Sequence, residues 1–177
     1  MPVFIEEILK LMNLQLERIV TSLNRLPEED VWRRLRPNTN SIGNLCVHLA
    51  GNEYQHLVSG IGDRPFERER SVEFNLEGGF SKSSLISWLR GVRTDAESIL
   101  RGLADADLTR EVTIYYDPED WKRLRKLEQI EGESSYTRSI QTHLLHVAEH
   151  YAYHAGQIVY MTKLLQEGEG GITGYGH

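Results

Sequence analysis

The sequence predicts an all-α fold: a four-helix bundle with a short extra segment between helices three and four. Long stretches carry apolar residues at alternating steps of three and four, the mark of amphipathic helices. Helix-starting and helix-stopping residues bracket these stretches, and strand-like alternation is confined to one short run. At 177 residues the chain is long enough for one domain with a substantial core.

Helix one runs from about Val3 to Leu26, with Phe4, Ile8, Leu11, Met12, Leu16, Ile19 and Leu23 in phase, and Pro27 closes it. A connector holding Trp32, Arg33, Arg34 and Pro37 leads to Asn38-Thr39-Asn40-Ser41, a group of N-cap candidates before helix two, which extends to about Ile61. The stretch 62–79 has no sustained period and reads as a loop, its charges as solvated surface. Ser81 or Ser83 caps helix three, which runs to about Leu103 and buries Leu85, Trp88, Leu89, Val92, Ile99 and Leu100. Val112 to Tyr116 is strand-like, and Pro118 opens a short helix around Trp121 to Leu127. The last long helix is expected from about Tyr136 to Gln166. A Gly-rich tail, 167–177, follows, so the single domain spans 1–166.

Composition removes several function classes. A net charge of −6 and a pI near 5.7 give no basic footprint for nucleic acid. No apolar run reaches the ~18 residues of a membrane span. The first residues lack the basic region of a secretory signal, so a cytoplasmic protein is expected. The single Cys46 forms no internal disulfide and reads as a small buried hydrophobe, which leaves His, carboxylate and water for any metal site.

The densest chemistry lies near the C-terminus, where four of the seven histidines fall between His143 and His154. At roughly 100° per helical residue, His143, His146, His150, His154 and Gln157 share an arc of about 80°. The i, i+4 pair His150 and His154 lies within reach of one ion, since such neighbours have Cβ atoms about 5 to 6 Å apart. Helix two carries His48 at the boundary of its polar and apolar faces. In a bundle this histidine can meet the last helix across a cleft. Three imidazoles with an open position suit catalytic rather than structural metal chemistry. Asn52, His146 and Gln157 are candidates to orient ligands or substrate, since metal-bound imidazoles donate their other N–H to a partner. His56 and His177 read as surface residues.

Other patterns are weak or missing. There is no His-Glu-x-x-His, and His146-Val-Ala-Glu149-His150 fits an inverted zinc-protease string but leaves His154 unexplained. Only Glu53-Tyr-Gln-His56 matches the Glu-x-x-His pairs of di-iron bundles. Phosphate-loop, dinucleotide and Gly-x-Ser-x-Gly motifs are absent.

Ser41-Ile42-Gly43-Asn44-Leu45-Cys46-Val47-His48 resembles the helix-two motif of the DinB-like superfamily, the DinB/YfiT-like metalloenzymes. His146-Val-Ala-Glu149-His150-Tyr-Ala-Tyr-His154-Ala-Gly-Gln157 is similar to that superfamily's last-helix motif. The resemblance implies a DinB/YfiT-type four-helix bundle, often a homodimer. It implies His48, His150 and His154 as ligands of one divalent transition metal, Zn or Ni foremost, with Fe, Mn or Co compatible. It further implies a metal-dependent transferase joining a low-molecular-weight thiol of bacillithiol, mycothiol or glutathione type to an electrophilic small molecule. A hydrolase using metal-bound hydroxide and a non-enzymatic metal-binding stress-response module are the alternatives. Arg33, Arg34 or Arg64 are candidates to receive carboxylates of an acidic cofactor.

Overall fold

A computed structural model describes residues 1–66, 68–126, 129 and 132–166. The bundle is built from α1 (Val3–Arg25), α2 (Ile42–Glu53) with its π-helical continuation Tyr54–Ile61, α4 (Lys82–Arg101) and α6 (Ile140–Leu165). α1 packs on α4 and α6, and α2 packs on the same two helices, which closes a ring of four around one core. Leu85, Leu89, Leu144, Val147 and Ile158 are among the residues buried at its centre.

Each helix begins and ends for a local reason. The residue before Pro27 is forced out of the α region, so Leu26 is extended and α1 ends. Leu11 of the predicted apolar set faces out. Ser41 caps α2 in a reciprocal box, its Oγ accepting from Asn44 N at 3.1 Å while Asn44 Oδ1 accepts from Ser41 N at 3.0 Å. Gly43 allows this turn to lie against Trp32, since a Cβ there would meet the indole at 2.7 Å. Every residue of α2 is buried. Its polar side chains therefore need partners inside the protein.

The structure departs from the sequence reading in two segments. The stretch read as a solvated loop contains a short helix, α3 (Arg70–Asn75), held to the start of α2 because Asn44 Nδ2 donates to the carbonyls of Glu73 and Leu76. The extra segment before α6 is a two-stranded hairpin, β1 (Glu111–Tyr115) with β2 (Ser135–Ser139), antiparallel with Thr113 opposite Thr137. α5 (Pro118–Arg125) sits between the strands and is capped by Asp117. Residues 136–139, expected in the last helix, instead pair with β1, and α6 begins after its cap Ser139. The tail 167–177, with His177, lies outside the described residues. Among the described residues no helix is long and apolar enough to cross a membrane.

Candidate metal centre

α2 and α6 bring His48, His150 and His154 together, with one ligand atom from each lying within 4.8 Å of the others. His48 Nε2 and His150 Nε2 are 3.0 Å apart. Three ring contacts complete the cluster, with centroids 4.9 Å (His48 to His150), 5.1 Å (His48 to His154) and 4.5 Å (His150 to His154) apart.

The outer nitrogens set the tautomers. His48 Nδ1 donates to Glu73 Oε2 at 2.8 Å, and His154 Nδ1 donates to Gln157 Oε1 at 2.7 Å. Both hydrogen bonds leave Nε2 as the atom with a free lone pair. Arg68 holds Glu73 in a fork, Nε to Oε1 at 2.6 Å and Nη2 to Oε2 at 2.8 Å, and donates to Gln55 Oε1 at 2.8 Å. Gln55 in turn donates to the carbonyl of Tyr115, which ties the assembly to β1. This close packing explains Gly51: a Cβ there would meet Glu73 Oε1 at 2.5 Å and Arg68 Nε at 2.9 Å.

Burial, reinforced by Arg68, holds His48 down at about 2, and burial together with the other imidazoles brings His150 to about 2. His154 is lowered by burial as well. The triad is neutral at physiological pH, the state a metal requires. Burial raises the Glu73 carboxyl, against the opposing pull of Arg68.

The residues fit a divalent ion. Two Zn-bound imidazole nitrogens at tetrahedral geometry lie about 3.3 Å apart, close to the His48 and His150 separation. Two lone pairs at that distance repel unless a proton or a metal lies between them. His150 Nδ1 is buried without a partner among the described residues. The three-His cluster could therefore bind a metal ion.

The comparisons agree with this architecture. The family model of the DinB superfamily matches residues 11–158. The chain belongs to that superfamily. A crystal structure of a DinB-like protein from Bacillus cereus ATCC 10987 superposes with a TM-score of 0.62 at 17% identity, covering 93% of this chain and 97% of that one. A conserved protein from Enterococcus faecalis gives 0.63 at 17% identity, over 93% and 98%. These two likenesses carry the fold alone. No curated protein matches the sequence.

In this DinB chain the histidine stripe of α6 is divided between roles. His143 Nε2 donates to the carbonyl of Val112 at 3.0 Å and fastens α6 to the hairpin. His146 lines the cavity beside the triad. His56, expected at the surface, is fully buried; its Nδ1 donates to the Asn52 carbonyl at 2.8 Å and its Nε2 accepts from Tyr136 Oη at 2.7 Å. Asn52 is thus used through its backbone, and its side chain lines the cavity with no bond to the triad. Of the three supporting candidates Gln157 hydrogen-bonds a triad histidine, and His146 meets the His150 ring with centroids 6.1 Å apart.

Sequence reasoning missed Glu73 and Arg68, which lie in the stretch read as solvated loop. The three arginines read as candidates for an acidic cofactor have partners within the protein. Arg33 pairs with Asp30, Arg64 with Asp95, and Arg34 donates to the carbonyls of Thr39 and Phe74.

Proposed function

We propose that the protein is a metal-dependent transferase that joins a low-molecular-weight thiol to an electrophilic small molecule. The carrying observation is the convergence of three neutral imidazoles, two with Nδ1–H held by fixed acceptors, beside a cavity of about 250 Å³ whose wall includes His48 and His150. When bound, a divalent ion supplies Lewis acidity that favours a thiol as its thiolate near neutral pH. His48, His150 and His154 hold the ion, Glu73 and Gln157 fix the orientation of two of the rings, and Arg68 keeps Glu73 in place.

Among the described residues the cavity wall offers no thiol or aliphatic hydroxyl. Cys46 is fully buried in the core, and burial pushes its thiol up to about 12. The described lining holds no Ser, Thr or Cys. An external nucleophile is consistent with this lining, and a thiol matches the activities implied by the superfamily resemblance.

The test uses protein loaded with one equivalent of zinc or nickel, an activated aryl chloride, and glutathione or cysteine. Equal consumption of thiol and aryl chloride, only with metal present and lost in His154→Ala, supports the reading. Equal rates for His154→Ala and wild type would sink it. Release of chloride without thiol would replace it with the hydrolase.

A further inference from the structure

The cavity beside the triad has an unusual wall for an acidic protein. Four guanidinium groups, Arg68, Arg70, Arg125 and Arg138, line it, and the described lining contains no carboxylate. Arg68 is neutralised by Glu73. The other three have no carboxylate within ion-pair distance among the described residues. Each lies over a ring: Arg70 over Phe74 at 4.9 Å, Arg125 over Trp121 at 4.6 Å and Arg138 over Tyr136 at 4.7 Å. Asp120, buried behind the wall, accepts from Ser71 N at 3.1 Å, and with Glu73 it offsets part of the Arg70 charge at longer range.

Arg70 is half-buried, and burial together with Arg68 makes its charge costlier to hold. Unbalanced guanidinium groups around a concave site raise the local concentration of anions, and their fork geometry matches carboxylate and phosphate oxygens. Tyr116, Trp121 and Tyr136 form an aromatic flank, the planes of Trp121 and Tyr136 within 20° of each other. Such a flank receives a flat apolar group.

We propose that this cavity binds a small organic anion, its carboxylate or phosphate groups taken by Arg70, Arg125 and Arg138 and its flat portion laid against Tyr116, Trp121 and Tyr136. The inference rests on the proposed function for its meaning as a substrate class, since the cavity opens on His48 and His150. Binding itself does not need the ion. The arginines come from α3, α5 and β2, elements of the two segments where structure and sequence reading part.

The experiment is titration calorimetry with phthalate and phenyl phosphate, and with uncharged phthalamide and benzyl alcohol, on chelator-treated and zinc-loaded full chain. Wild type is expected to bind both anions in either form, at least tenfold more tightly than the neutral compounds, with affinity falling as salt rises. The preferred anion separates a carboxylate from a phosphate ligand. The double variant Arg125→Gln/Arg138→Gln alters two exposed side chains and should fold. It is expected to lose at least tenfold in anion affinity with its zinc content unchanged. Equal binding of anions and neutral compounds, or unchanged affinity in the double variant, would overturn the proposal. Binding only to the zinc-loaded form would also overturn it, because the anion would then be a ligand of the ion. Anion binding by a chain that takes up no zinc would keep this inference and break the metal reading instead.

Discussion

Two buried glutamates near α2 are clasped by arginine in almost the same way, and only one reaches the histidines. Arg93 grips Glu53 with Nε at 2.6 Å and Nη2 at 3.1 Å, as Arg68 grips Glu73 at 2.6 and 2.8 Å. From Arg93 on α4 the contacts run on to Asn13 on α1 and the ring of Tyr151 on α6, so this pair joins all four bundle helices. Beyond Glu73 it runs to His48 Nδ1 and ends at a cavity. The same ion pair serves as a brace in the first case and as an orienting support for a ligand in the second.

The largest effect should come from breaking the brace. Arg93→Ala leaves the Glu53 carboxylate buried and alone, and a loss of about 3 to 5 kcal/mol is expected in denaturant unfolding. A loss under about 1 kcal/mol would mean that the pair does not hold the bundle. Glu73→Gln, in contrast, keeps shape and should lower metal affinity about 10- to 100-fold while the fold persists. Competition with a metal indicator measures this, and unchanged affinity would separate Glu73 from the site.

Acid probes the buried histidines. Burial holds His48 near 2 and His56 near 3, whereas an unfolded chain titrates them near 6.5. Between those limits the unfolded chain binds more protons, so stability falls as pH drops below about 6.5 and is level above it. The expected slope well below 6.5 is about 1.4 kcal/mol per pH unit for each of these two histidines in metal-free protein. Urea midpoints at several pH values read it, and a flat profile from pH 4 to 8 would contradict neutral buried imidazoles. The smallest effect belongs to Gly51→Ala. Its methyl must push back the tips of the Glu73 and Arg68 side chains, which can shift without moving backbone, so stability should change by less than about 1 kcal/mol. Metal affinity should fall detectably, and an unchanged affinity would show that the fork tolerates the shift.

Much of this comparison was legible in the sequence on one side only. The long helices, the stop at Pro27, a cap within Asn38 to Ser41 and the phase of His150 and His154 all follow from local spacing. So does the choice of His48 as a third partner, once the bundle is assumed. Glu73 and Arg68 were not legible, because α3 has only six residues, too few to show a period, and its position depends on Asn44, 29 residues earlier. The burial of His56 was hidden for another reason. The helix widens into π-helical turns at Tyr54, where counting at 100° per residue no longer gives the face. Residues 136–139 continue the last helix in pattern, yet pairing with β1, a contact made at long range, wins.

The most direct test of the central claim is metal content by elemental mass spectrometry, on protein purified without a histidine tag. It compares wild type with His48→Ala, His150→Ala and His154→Ala. The account predicts about one ion per chain in wild type and loss of that ion in each variant that still folds by circular dichroism. No ion in wild type after reconstitution, or an ion retained in all three variants, would contradict it.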